Sequence, residues 1–286
     1  MPSTPLTQSS VPTRILPAAE VLKGYDAVAS LYPYIPPLSH WRAWEYAAYK
    51  HHRIDGRILD VGCGDGRYFK LIWPHANNVV GVDMDNETAE RGRDSGVYNT
   101  VHTTTADKIP EPDASFEHAF ANCSLEHMDN LNGVLLEIAR CLKPGGTLSC
   151  SIVTNRFVDW SLLPTMVYQA GFQKAADRIH ADFLKYHHLA NPLKVEKWVD
   201  SFNKAGLTVE SHIPILPRYN TSIFLLMDTL WHMKKDSGEF GELIYPTLSS
   251  NPGFPRAFRK VVDALLEMEQ DWHDCSGAVF SVRKAK

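Results

Sequence analysis

Apolar positions along the chain change period several times, and these changes divide it into alternating elements. Residues 57–61 form a short apolar run, and 62–66 follow as a glycine-rich turn. Residues 68–73 carry a helical pattern that Pro74 ends. A second apolar run at 79–82 predicts a strand buried on both faces. Residues 87–96 predict a short helix stopped by Gly96. A weaker strand is expected at 98–104 and a fourth at 116–121. Helical spacing returns over 131–142, closed by Lys143-Pro144-Gly145-Gly146, and a fifth strand follows at 147–153. This alternation argues for an α/β fold with a parallel sheet covered on both faces.

After Thr154 the rhythm changes. Residues 157–189 are aromatic-rich and predict helix in pieces. A helix is expected over 195–205, stopped by Gly206, and a strand over 207–215. Residues 217–272 predict a long, mostly helical stretch with breaks at Pro246, Pro252 and Pro255, and 277–282 a last strand. The long stretch therefore reads as an insertion between the final two strands, expected to cap a substrate. Near the other end, Pro33, Pro36 and Pro37 interrupt the chain before a helix over 41–51. Residues 1–17 are rich in Ser, Thr and Pro, lack the apolar core of a signal peptide, and predict a mobile tail. The expected division is a flexible tail at 1–18, a helical lid at 19–54 and a ligand-binding core at 55–155. The rest of the sheet follows at 156–286, with cap insertions at 156–193 and 217–272.

A chain of 286 residues can bury a full core, and 44% apolar with 22% charged residues is ordinary for a globular protein. The net charge of -4 supplies no basic field and argues against a nucleic-acid partner. Five Cys, an odd number without metal-site spacing, fit a reduced, cytoplasmic chain and predict no metal. No apolar run approaches the ~20 residues that span a bilayer, so no integral membrane segment is expected. No heptad or repeat appears, which leaves the oligomeric state open.

The candidate chemistry centres on the turn Asp60-Val61-Gly62-Cys63-Gly64-Asp65-Gly66. In an open parallel sheet, ligands bind beyond the carboxyl ends of the strands where strand order reverses. Glycines there let the backbone approach a ligand, and the next helix presents free N–H groups. Asp83 ends the second strand, where a carboxylate can accept hydrogen bonds from both ribose hydroxyls; a helix cap is its alternative role. Met84 is placed to lie on an adenine face or to be a plain loop residue.

In order, Ile58 to Gly66, Val80-Gly81-Val82-Asp83, Ile109 to Glu117, Leu125-Glu126-His127, and Glu137 to Gly146 resemble the motifs of class I S-adenosylmethionine-dependent methyltransferases of small-molecule type. The resemblance covers roughly residues 55 to 155 and implies a Rossmann-like, doubly wound, mainly parallel seven-stranded sheet with helical cap insertions. It implies S-adenosylmethionine as cofactor, with Asp60 and the carbonyls around Gly62 and Asn122 at the methionine end. Cys63 and Cys123 belong to the same loops. Gly64 and Gly66 would allow close approach, Asp83 would hold the ribose, Met84 would pack on adenine, and the Ala106 N–H would meet the ring. Where many relatives carry an Asp before that Ala, this chain has Thr105, and Asp107 follows as the candidate adenine contact. A dinucleotide-binding dehydrogenase has similar glycine-to-acid spacing. Asp60 and the Leu-Lys-Pro-Gly-Gly turn favour the methyltransferase.

Methyl transfer from a sulfonium needs an aligned nucleophile and exclusion of water, and a hydroxyl acceptor adds the need for a base. The candidate bases are His127, His187 and His188. His127 competes with a role tying down the loop, and the His187-His188 pair with plain packing. Some relatives bind a metal through Glu-x-x-Glu-His; here Cys123 takes the first position, which argues against a metal. Tyr25, Tyr32, Tyr34, Trp41 and Trp44 suit an N-terminal lid. Phe157, Trp160, Tyr168, Phe183, Phe224 and Trp231 suit either an apolar pocket or the core. The expected activity is methylation of an oxygen or nitrogen on a small, partly apolar acceptor such as a secondary metabolite. A lipid or lipid-linked sugar is the alternative acceptor, and a non-catalytic regulator built on the same fold is a third reading.

Overall fold

The computed structural model describes residues 11–286 apart from Asp236 and Ser237. Its main sheet has seven strands in the order β3-β2-β1-β4-β5-β9-β6. The strands are β1 (Ile58–Val61), β2 (Val79–Asp83), β3 (Thr100–Thr103), β4 (Phe116–Asn122), β5 (Leu142–Val153), β6 (Leu207–Pro217) and β9 (Cys275–Lys284). β1 to β5 run parallel, and β9 is antiparallel between β5 and β6. The doubly wound, mainly parallel sheet expected from the sequence is present. The order reverses at β1, whose carboxyl end leads into the glycine turn.

Strand alternation explains the two cores. Ile58, Val79, Phe120, Ile213 and Val279 belong to one buried cluster; Leu59, Val61, Val80, Val82 and Phe280 belong to the other. The first face is covered by α1 (Ala18–Val28), α2 (Pro36–Tyr49), α3 (Arg67–Ile72), α4 (Asn86–Asp94), α10 (Arg218–Trp231) and α12 (Phe254–Met268). The second is covered by α5 (Leu131–Cys141) and α9 (Val195–Lys204), whose Trp198 and Phe202 are fully buried. A side chain of that size removed from water stabilises the fold by about 3 kcal/mol.

The remaining elements cluster at the carboxyl edge. α6 (Arg156–Asp159), α7 (Leu162–Gln169) and α8 (Gln173–His187) follow β5. β6 runs parallel to β5, since both are antiparallel to β9. The segment between β6 and β9 therefore leaves the sheet and returns to it at the same edge as the glycine turn. It comprises α10, a hairpin of β7 (Lys234–Lys235) and β8 (Gly238–Glu239), α11 (Phe240–Ser249) and α12.

Two expectations are corrected, and the aromatics left between pocket and core are assigned. Residues 1–10 of the predicted tail lie outside the described residues, but Val11 to Pro17 lie against the fold. Thr13 bridges to His212 on the edge strand β6, and Leu16 is buried. An apolar anchor and two backbone hydrogen bonds, Arg14 N–H to His212 O and His212 N–H to Pro12 O, hold this segment. Pro246 sits inside α11 instead of ending it. Of the six aromatics suited to a pocket or the core, Phe157, Phe183 and Phe224 pack in the core with Trp41 of the lid: Trp41, Phe157 and Phe224 form one tilted and edge-on group, and Phe157 stacks on Phe183. Burial of these large rings outweighs leaving them around an open space. Tyr168 is exposed, and Trp231 is half-buried. Of the lid aromatics, Tyr25, Trp41 and Trp44 are core residues, while Tyr32 and Tyr34 are half-buried.

Candidate functional site

The glycine turn closes on the end of β2. The N–H groups of Gly62 and Cys63 both donate to the Val82 carbonyl, at 2.8 and 3.0 Å. Gly62, Gly64 and Gly66 have φ of 74°, 56° and 71°, the left-handed region that glycine enters without strain. A Cβ on Gly66 would stand 2.6 Å from the Tyr98 ring, so both space and backbone require glycine there. At Gly64 the same direction is open, with nothing within 4 Å among the described residues. The Cys63 side chain turns into the core against Gly81, leaving its backbone at the turn.

Two carboxylates bracket this turn. Asp83 Oδ2 accepts from Gly64 N–H at 3.1 Å and Oδ1 from Asp85 N–H at 3.0 Å. Each oxygen keeps a further lone pair for a hydroxyl donor. Asp60 is 2% exposed and accepts from the Tyr98 hydroxyl at 2.7 Å. Burial pushes its carboxyl up to about 7, against the lowering effect of the Tyr98 hydrogen bond. Met84 is 74% exposed beside Asp83. Ala106 is half-buried, and Asp107 accepts from Asn130 Nδ2 at 2.9 Å beside the start of α5.

At the end of β4 the structure brings in a residue that the sequence reading missed. Glu45 of α2 is fully buried and gathers donors from several elements. Trp41 Nε1 donates to it at 2.9 Å, Arg42 at 2.6 Å, Cys123 Sγ at 2.9 Å, and the Ser151 hydroxyl donates as well. Asn122 Nδ2 points at the same carboxylate from 3.5 Å, while its Oδ1 is buried without a partner among the described residues. Cys123 has φ of 45°, a strained position for a residue with a side chain, and burial pushes its thiol well up. Glu126, next along, is also fully buried, with both oxygens unpartnered among the described residues and its carboxyl pushed to about 8 by burial. A charged residue inside the otherwise apolar run from Ala43 to Ala48 was the only sequence signal for Glu45.

The three candidate histidines have different surroundings. The His127 ring sits at the loop after β4 with Nδ1 facing the His188 carbonyl at 3.3 Å, and burial lowers its pKa. His188 ends α8 with φ of 41° and is exposed, 3.6 Å from Asp129. His187, in contrast, is half-buried and packs edge-on to Phe157 and Phe183. Its Nε2 lies 3.0 Å from Asp228 of α10. An imidazole held by a carboxylate is a base with its orientation fixed. Among the described residues, no group of three or more His, Cys, Asp or Glu is arranged to hold a metal ion, and no helix is long and apolar enough to cross a membrane.

Residues 59–150 match the family model described as a methyltransferase domain. The chain is 32% identical over 134 residues to 27-O-demethylrifamycin SV methyltransferase of Amycolatopsis mediterranei, covering 44% of this chain and 46% of that protein. It is 34% identical over 111 residues to an O-methyltransferase of Aspergillus nomiae, covering 36% and 48%. It is 28% identical over 170 residues to a demethylmenaquinone methyltransferase of Symbiobacterium thermophilum, covering 55% and 66%. The chain thus spans about half the length of the first two curated relatives. Among solved structures, it is similar to the [4+2]-cyclase SpnF, with a TM-score of 0.53, 18% identity and coverage of 96% and 99%. A S-adenosylmethionine-dependent methyltransferase of Thermotoga maritima follows with 0.52, 18%, and 93% and 98%. At these identities the structures share the fold.

Proposed function

Because the chain belongs to the class I S-adenosylmethionine-dependent methyltransferases, we propose that it transfers a methyl group to an oxygen or nitrogen of a small, partly apolar acceptor. The observation that carries this reading is the pair of features at the switch of strand order: the open cradle over Gly64 and the Asp83 carboxylate beside it. The residues fit the cofactor. Asp83 has lone pairs for two ribose hydroxyls, the space over Gly64 admits a ligand against the backbone, and the orphaned Asn122 Oδ1 offers an acceptor to a donor at the methionine end. Bound there, the cofactor supplies an electrophilic methyl on a positive sulfur.

The rest falls to this chain's own groups. Asp60 and the Gly62 and Asn122 carbonyls would hold the methionine end, Gly66 and the Cys63 and Cys123 backbones shape its walls, and Met84, Ala106 and Asp107 stand at the adenine end. Among His127, His187 and His188, the carboxylate partner and half-burial favour His187 as the base. The aromatic cap after β5 and β6 excludes water from the acceptor. Two of the three relatives are named for a small-molecule acceptor, 27-O-demethylrifamycin SV and demethylmenaquinone, which supports a small molecule and leaves its identity to experiment.

Calorimetry with S-adenosylmethionine and S-adenosylhomocysteine tests the reading. Binding of both is expected, with Asp83→Ala weakening each at least tenfold through loss of two hydrogen bonds of about 1 kcal/mol each. Absence of binding by the intact chain would refute it and leave a regulator on the same fold. The shared fold of a [4+2]-cyclase makes this the necessary first measurement.

A further inference from the structure

Beyond the candidate base, the cap contains a set of titratable groups that the transfer scheme above does not use. Asp228 lies between two imidazoles. Its Oδ2 is 3.0 Å from His187 Nε2, and its Oδ1 is 3.7 Å from His232 Nε2. His232 Nδ1 lies 2.9 Å from Glu239 Oε2, and its Nε2 lies 2.7 Å from the Tyr186 hydroxyl. Tyr186 also stacks on the His232 ring at 3.9 Å. The set ties together α8, α10 and β8. Its inner members are the most enclosed, with side-chain exposures of 13% at His187 and 11% at Asp228 against 22% at His232 and 29% at Glu239.

The hydrogen-bond chemistry then fixes both rings. An ionised carboxylate only accepts, so a ring nitrogen within hydrogen-bond distance of one must carry the proton, as at His187 Nε2 and His232 Nδ1. Neutral His187 is accordingly protonated at Nε2 and bare at Nδ1. Neutral His232 is protonated at Nδ1, toward Glu239, and its Nε2 accepts from Tyr186. The two histidines are therefore held in opposite tautomers. His187 Nδ1 makes no hydrogen bond among the described residues and is not a sealed orphan.

Building on the methyltransferase reading, we infer that Asp228 and His232 are positioning residues that make Nδ1 of His187 the nitrogen that takes the acceptor's proton. In the step, the acceptor X–H bond breaks and its proton passes to Nδ1. The freed pair on X forms the bond to the methyl carbon as that carbon's bond to sulfur breaks, with the latter pair left on sulfur. The positive charge thus moves from sulfur to His187, where Asp228 faces it. His232 fills the outer side of Asp228, 3.7 Å from Oδ1, and by occupying that space limits the carboxylate from turning away from His187.

The test needs no acceptor. The full chain is labelled with 15N histidine, and long-range proton–nitrogen spectra are recorded at pH 8, with His187→Gln and His232→Gln assigning the signals. The expected result is Nε2–H for His187 and Nδ1–H for His232. Asp228→Asn should mix the His187 tautomers, and His232→Gln should move the His187 nitrogens while the thermal midpoint stays within about 3 °C. Nδ1–H on His187 in the wild type would overturn the inference. So would His187 signals that ignore Asp228→Asn in a folded protein. If Asp228→Asn fails to fold, the wild-type tautomers and His232→Gln decide. Calorimetry with S-adenosylhomocysteine on the same sample separates the two readings. Lost binding refutes the methyltransferase, whereas a wrong tautomer refutes only the positioning scheme.

Discussion

Replacing Asp60 by Asn should stabilise the ligand-free protein at alkaline pH while impairing it as a binding protein. Asp60 is buried, and its carboxyl is pushed from 3.8 to about 7. Because the folded value is raised, the fold keeps the proton that the unfolded chain releases. The cost is absent below about pH 4, grows by about 1.4 kcal/mol per pH unit, and is complete above about pH 7, near 4 kcal/mol. Asn keeps the shape and can still accept from Tyr98, but it never ionises. Allowing about 1 kcal/mol for its less complete hydrogen bonding, the variant should gain about 3 kcal/mol at pH 8 and lose about 1 kcal/mol near pH 4. Urea unfolding of both proteins, followed by tryptophan fluorescence at pH 4.5 and pH 8, measures this difference. Glu126, which burial shifts the same way, is common to both proteins and cancels. An offset between variant and wild type that is equal at the two pH values would refute the reasoning. Weaker S-adenosylhomocysteine binding by the stabilised variant would identify the buried charge as a feature retained for the ligand.

Other expectations follow from the same geometry. Gly66→Ala should cost at least about 2 kcal/mol in urea unfolding, because a side chain there meets both a left-handed backbone and the Tyr98 ring. Glu45→Ala should cost about 3 to 5 kcal/mol, since it leaves Arg42 without its buried partner; Glu45→Gln should cost less, and chemical denaturation ranks the two. Trp198→Ala, on the sheet face away from the candidate site, should lower stability by about 3 to 5 kcal/mol and leave the calorimetric affinity for S-adenosylmethionine within twofold.

The first half of the sheet and the cofactor end of the site were legible because their signals are local. Val79 to Val82 are uniformly apolar, the glycines of the turn are three residues within five, and Asp83 ends its strand directly. The acceptor end was only partly legible. His187 could be nominated as a histidine in an irregular segment, but Asp228 stands 41 residues away, and in the sequence it is only a charge interrupting the apolar run 223–231. Glu45 was hard to read for a related reason: Trp41 and Arg42 are local donors, but Cys123 and Ser151 arrive from the end of β4 and from β5, and helical periodicity alone favours placing such a carboxylate on the surface. The N-terminal segment misled because its Ser, Thr and Pro content describes a chain without a core of its own. One buried Leu16 and a bridge to an exposed strand edge were enough to anchor part of it.

The position of β9 bears on how the molecule is made. β6 joins the sheet only through β9, which pairs with β5 on one side and β6 on the other. During synthesis the ribosome delivers β5, β6 and all of the cap before the strand that unites them. Until residues 275–284 emerge, the β5 edge is unpaired and the two cores are open at that end. Folding is thus gated by the last strand, and loss of that strand would divide the sheet rather than trim it.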